Sequence, residues 1–110
     1  MLNIDAQNNI TLTRGDTLTL TVALMKDGET YSPEASDVIR FALAEGYEGG
    51  KDYSFILEKV IPHDSLTFTL SAAETELEYK KYNYDVQITH EDGAVDTFIS
   101  ATLKITGEVK

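Results

Sequence analysis

A chain of 110 residues with a formal net charge of −10 and no cysteine has the length of one domain, and it can form no disulfide framework, thiol nucleophile or cysteine-based zinc site. Its 19 acidic residues against 9 basic ones argue against nucleic acid and anionic membrane as partners, because both reward clustered Lys and Arg. No apolar run reaches the ~20 residues that span a bilayer, and Met1 to Asn9 lacks a basic segment followed by an apolar one, so synthesis in a cytoplasm without a secretion leader is expected.

The dominant pattern is strict alternation of apolar and polar residues, the signature of strands with one buried and one wet face. A first strand is expected from about Asn3 to Leu12, closed by a tight turn at Arg14-Gly15-Asp16. A second, about Thr17 to Met25, alternates Leu18, Leu20, Val22 and Leu24 with threonines and Ala23. Asp27-Gly28 then predicts a hairpin, and Pro33 limits the returning piece to a short edge segment or a loop. Asp37 to Glu45 reads as a third strand, broken by the glycines of Gly46 to Gly50.

Tyr53, Phe55 and Leu57 resume the alternation, which runs through Ile61. Pro62-His63-Asp64 turns the chain, and Ser65 to Leu70 forms the next strand. Ser71-Ala72-Ala73-Glu74 has capping-box spacing, which predicts one short helix over Ala72 to Glu78 with Leu77 packed inward. Tyr82 to Thr89, a turn at Glu91-Asp92-Gly93-Ala94 and a long strand from Val95 to Thr106 complete the chain.

These elements predict an all-β fold: a single immunoglobulin-like antiparallel β-sandwich over 1–110, with about seven strands and one short helix. Leu20, Val22, Phe41, Phe68, Val86, Ile88 and Ile99 are the expected core. Sandwiches of this kind carry a corner tyrosine bonded to upstream backbone. Tyr84 is the preferred candidate, with Tyr82 of the same parity as the alternative.

Chemistry is sparse. Arg14-Gly15-Asp16 spells an integrin-binding tripeptide, but it reads as turn material. His63, Asp64 and Ser65 adjoin, yet no G-x-S-x-G elbow accompanies them, and His63 and His90 both read as exposed turn residues. Glu74, Glu76, Glu78 and Asp64 form an acidic cluster without a calcium-loop pattern. Lys80-Lys81 is too small a basic patch for nucleic acid. No catalytic, cofactor-binding or metal set is therefore assigned, and no cofactor is expected. The candidate partner contact is Tyr47 with Glu48, an aromatic and an acid in the glycine loop.

Four segments in this order, Ile10 to Leu18, Asp37 to Leu43, Tyr82 to Thr89 and Asp92 to Ile99, carry a resemblance. The chain resembles small structural proteins of tailed bacteriophages and prophages of Firmicutes, and its Arg-Gly-Asp-Thr start resembles the N-terminal domain of phage baseplate upper proteins. The resemblance implies a non-catalytic virion part or adaptor of the tail or baseplate region. Its partners would be other phage structural proteins, with a homo-oligomer among the expected assemblies, and its location would be the virion. No catalytic residue comes with it, and with no long receptor-binding region in these 110 residues a small virion or adaptor part is expected rather than direct host recognition. The alternative is a free-standing immunoglobulin-like module that binds carbohydrate or a surface protein through Tyr47 and the two Asp-Gly loops.

Overall fold

The longest alternating runs become the longest strands. A computed structural model of the chain describes residues 2–45 and 54–107. In chain order its strands are β1 (Leu2–Ile4), β2 (Ile10–Thr13), β3 (Leu18–Thr21), β4 (Met25–Lys26), β5 (Glu29–Thr30), β6 (Val38–Glu45), β7 (Ser54–Ile61), β8 (Thr67–Leu70), β9 (Lys81–Thr89) and β10 (Val95–Thr106). The fold is all-β. A six-stranded sheet has the order β1-β2-β10-β9-β6-β7, while β3 pairs with β8 and β4 with β5.

The large sheet is mixed rather than antiparallel throughout: β2 runs parallel to β10, with Ile10 opposite Leu103 and Thr13 opposite Thr106. The expected first strand is also two strands. The Asp5 carboxylate accepts the backbone N–H groups of Gln7 and Asn9, each at 2.9 Å, which folds the chain back on itself. Asn8 takes the left-handed conformation there, at φ 67°, which asparagine tolerates better than most residues. The Asn9 side-chain oxygen then accepts the Thr102 N–H and hydroxyl, each at 3.0 Å, and pins the hairpin to β10.

The Asp27-Gly28 hairpin forms as expected. Met25 pairs with Thr30 and Lys26 with Glu29, and the two loop residues sit at φ 53° and 80°. Positive φ at both central positions matches the twist of the flanking strands, and it is why Asp-Gly is favoured there. The second hairpin closes where His90 N–H donates to the Ala94 carbonyl at 2.8 Å.

The expected helix over Ala72 to Glu78 does not form, and the described residues contain no helix. Its capping box does form: Ser71 N–H donates to Glu74 Oε1 at 2.9 Å, and Glu74 N–H to Ser71 Oγ at 3.2 Å. The turn stops at Thr75, which is buried. Its hydroxyl bonds the Asp16 carbonyl at 2.7 Å and the Ala72 carbonyl at 3.1 Å. That anchor fixes the segment against the turn preceding β3, so helical bonding does not propagate. Leu77 still packs against the core.

Phe55 is a further correction. The β6–β7 register shifts between Leu43 and Ala44, so that Leu43 faces Leu57 but Ala44 faces Phe55. The extra residue, Ile56, is a bulge that breaks the alternation. Phe55 is left exposed, while Ile56 packs against the core.

Phe41 is the centre of the interior. It is fully buried, with its ring 4.8 Å from Phe68 on β8 and 5.3 Å from Tyr84 on β9. The β3–β8 ribbon thus lies over the large sheet. It turns Leu18, Phe68 and Leu70 inward, and Thr19–Thr69 and Thr21–Thr67 hydroxyl pairs occupy its other side. Of the expected core, Phe41, Phe68, Val86 and Ile88 are buried, whereas Leu20, Val22 and Ile99 are only partly covered.

Candidate functional site

Two places gather the chemistry of the described residues. The first is at the end of the sheet where β4, β6, β9 and β10 meet. His90 follows β9, Asp96 is the second residue of β10, and Asp37 immediately precedes β6. His90 Nδ1 lies 2.9 Å from Asp37 Oδ1, and its Nε2 lies 2.8 Å from Asp96 Oδ2. The Tyr31 hydroxyl donates to the other oxygen of Asp37 at 3.0 Å, as does Glu34 N–H at 2.9 Å. Lys26 approaches Asp96 at 3.6 Å and ties the β4–β5 hairpin to the cluster. His90 is therefore not the exposed turn residue expected from sequence: its side chain is 22% exposed and that of Asp37 only 5%.

The arrangement stabilises the imidazolium. Asp96 first, and then Asp37, hold the His90 pKa above its usual 6.5. The Glu34 N–H and then His90 hold Asp37 below the usual carboxylate range, and His90 is the largest cause of the same shift in Asp96. With a carboxylate on each ring nitrogen, neither nitrogen is free to take a substrate proton or a metal. The cluster is a clamp between two hairpins.

A pH dependence follows. A histidine raised in the folded state contributes stability that is complete below 6.5 and is lost as pH climbs through the raised value. The aspartates, lowered in the folded state, contribute above the ordinary 3.8, and that contribution is lost as pH falls through their depressed values. The thermal midpoint should therefore fall as pH rises through the His90 transition, and His90→Gln should remove that fall. Proton NMR should place the His90 midpoint above 6.5, and Asp96→Asn should lower it. A wild-type midpoint at or below 6.5 would contradict the clamp.

The second place is a cleft of about 200 Å³ between the β1–β2 hairpin and β3. Ile4 and Asn8 line one side, and Leu20 to Ala23 the other. Its floor is core: Phe41, Phe68, Tyr84 and Val86, with Ile99 from β10. The tyrosine bonded to backbone a few residues upstream is Tyr82 rather than the preferred Tyr84: its hydroxyl donates to the Glu78 carbonyl at 3.0 Å. Tyr84 instead donates to the Asn8 carbonyl beside the cleft. Burial, and then the nearby Asp5 carboxylate, push the Tyr84 pKa up to about 12.

The remaining expected residues do not converge. His63, Asp64 and Ser65 are exposed on the turn after β7. Glu74 is bonded to Lys59 at 2.7 Å in addition to its capping role, and no hydrogen bond or ion pair joins it to His63 or Asp64 among the described residues. No group of three His, Asp or Glu is placed to hold a metal among those residues. Arg14-Gly15-Asp16 is a turn, with Asp16 N–H donating to the Thr13 carbonyl at 3.1 Å. Tyr47 and Glu48 lie outside the described residues. Sequence reading missed the His90 clamp, because its partners are 53 and 6 residues away. It found Leu20, Val22 and Ile99, but as core.

Neither the protein-family models nor the curated proteins compared with this chain match it.

Proposed function

We propose that this chain is a non-catalytic structural or adaptor module of a tailed-phage or prophage virion, in the tail or baseplate region, that works through contacts with other structural proteins. The observation that carries the reading is the state of the sheet margins. The outermost strands of the large sheet, β1 and β7, bear exposed Leu2, Ile4, Phe55 and Val60. Unpaired strand edges flanked by apolar side chains are templates for another chain, and monomeric proteins normally guard them. The engagement of both His90 nitrogens and of Glu74 supports a role without catalysis. The acidic surplus supports protein partners over nucleic acid.

An immunoglobulin-like sandwich belongs to the same reading. Its supports are the order β2-β10-β9-β6-β7 with a β3–β8 ribbon above it, and the Tyr82 hydroxyl bonded four residues upstream, to Glu78.

The test is composition. The gene should lie among tail or baseplate genes, and mass spectrometry of gradient-purified particles from an induced lysogen should find the chain at constant ratio to tail proteins. Metabolic neighbours and particles without the chain would overturn the reading.

One observation favours a carbohydrate- or surface-binding module as the second reading. The Lys26–Asp96 contact brings the Asp27-Gly28 and Asp92-Gly93 hairpins to the same end of the fold, as binding loops would be. A glycan array showing no binding at millimolar ligand would remove it.

A further inference from the structure

The outer edge of β3 is the one beside the cleft, and among the described residues the β3–β8 ribbon has no further strand on either side. Its ladder runs from Leu18↔Leu70 to Thr21↔Thr67 and continues where Val22 N–H donates to the Leu66 carbonyl at 2.8 Å. Backbone groups alternate in direction along a strand. Leu18, Leu20 and Val22 therefore turn theirs toward β8, and Thr19, Thr21 and Ala23 turn theirs away. The Thr19–Thr69 and Thr21–Thr67 hydroxyl contacts, at 3.0 and 2.7 Å, agree with this phase, because side chains come closest in the non-hydrogen-bonded pairs. Among the described residues no strand pairs with that outer edge.

The apolar cleft lies directly along it. Four consecutive residues, Leu20 to Ala23, line the cleft, so both side-chain sets border it and it follows the strand's edge rather than one face. Leu20, Val22 and Ile99, apolar by pattern, stay half-covered around it. On the far side is Asp5, next to the lining residue Ile4. Its carboxylate accepts hydrogen bonds from Gln7 and Asn9, but it forms no ion pair with a described residue. Lys26, Arg40, Lys59 and Lys80 are already paired with other carboxylates.

We propose that the β3 edge and its cleft receive an extended segment of a partner protein in which apolar and cationic residues alternate. The segment adds a strand along Thr19 to Ala23, lowers an aliphatic side chain onto Phe41 and Phe68, and brings Lys or Arg to Asp5. Main-chain bonds supply affinity in this mode, and alternate side chains supply specificity. A second copy of this chain is the wrong occupant, since each copy carries a net charge of −10 and like charges repel. The proposal rests on the reading of the chain as a protein-contact module.

The full chain, titrated with a short capped peptide that alternates valine and lysine, tests this by NMR and hydrogen exchange. The amides of Thr19, Thr21 and Ala23 should gain protection, and the methyls of Leu20, Val22 and Ile99 should shift. A peptide with glutamate in place of lysine should bind about tenfold or more weakly. Thr21→Pro removes the middle outward N–H without touching the ladder, as edge positions tolerate. Ala23→Trp fills the mouth of the cleft from an exposed position. Each variant should abolish binding; Ala23→Trp should keep the wild-type thermal midpoint, Thr21→Pro should lose only what its hydroxyl contact with Thr67 contributes, and Ala23→Trp carries the test if the proline variant fails to fold.

No binding at millimolar peptide, equal binding of the glutamate peptide, or protection confined to β7 would overturn the proposal. Dimerisation of the free chain through the β3 edge in sedimentation and exchange experiments would assign the edge to a second copy and overturn it too. The particle-composition test is separate: a chain present in particles that refuses the peptide loses only this site, and a chain absent from particles that binds it loses only the virion reading.

Discussion

Phe41→Ala is expected to lower the unfolding free energy by about 3–5 kcal/mol, a large part of the ~5–15 kcal/mol typical of a domain. The ring is fully buried and touches both sheets through Phe68 and Tyr84. Its loss removes apolar transfer energy and opens a void next to the existing cleft, which neither sheet can close without breaking a ladder. Phe68→Ala should cost somewhat less, because that ring sits on the smaller β3–β8 ribbon and keeps 6% exposure. Denaturant unfolding of the variants against wild type checks both. In thermal unfolding, a Phe41→Ala midpoint within about 3 °C of wild type would show that the two sheets do not meet at this ring.

Thr75→Val is the second large effect, about 1–3 kcal/mol of destabilisation. The substitution keeps shape and burial and removes only the hydroxyl. The hydroxyl spans two carbonyls, those of Asp16 and Ala72, and joins the turn before β3 to the turn after β8. Without it two hydrogen bonds are lost together from a side chain that is only 2% exposed, each contributing about 0.5–1.5 kcal/mol. Thr75→Ser retains the oxygen and should recover most of the loss. Exchange of the Gly15 amide, which donates to the Thr75 carbonyl at 3.4 Å, should quicken in the valine variant. Equal stability of the valine variant and wild type would mean that the turn holds by packing alone.

Thr75 also shows why the helix expectation failed. The capping box at Ser71 and Glu74 is local, and it formed. A capping box starts a turn, but continuation requires further turns to be better than their alternatives, and short helices are marginal without packing. Here the alternative was a tertiary hydrogen bond to a residue 59 positions away, which no local pattern encodes. His90 makes the same point. Its place after a strand and before Asp-Gly suggested an exposed rim, and the fold brought Asp37 to one nitrogen while the hairpin brought Asp96 to the other.

Alternation by itself determined much. It predicted most strand positions, with β10 spanning Val95–Thr106 as expected, and the inward set Phe41, Phe68, Val86 and Ile88. Asp-Gly chemistry determined both hairpins, because positive φ is a local steric matter. The tertiary structure decided which strands meet. It set β2 parallel to β10, split the first strand at the Asp5 turn and placed the bulge that exposes Phe55. It also decided how far each apolar face is covered. Leu20, Val22 and Ile99 share the parity of buried neighbours, yet they stay half-open because no strand among the described residues pairs with the outer edge of β3. Period two reports which way a side chain points; whether anything stands opposite depends on partners distant in the chain, and that separates a core from a cleft.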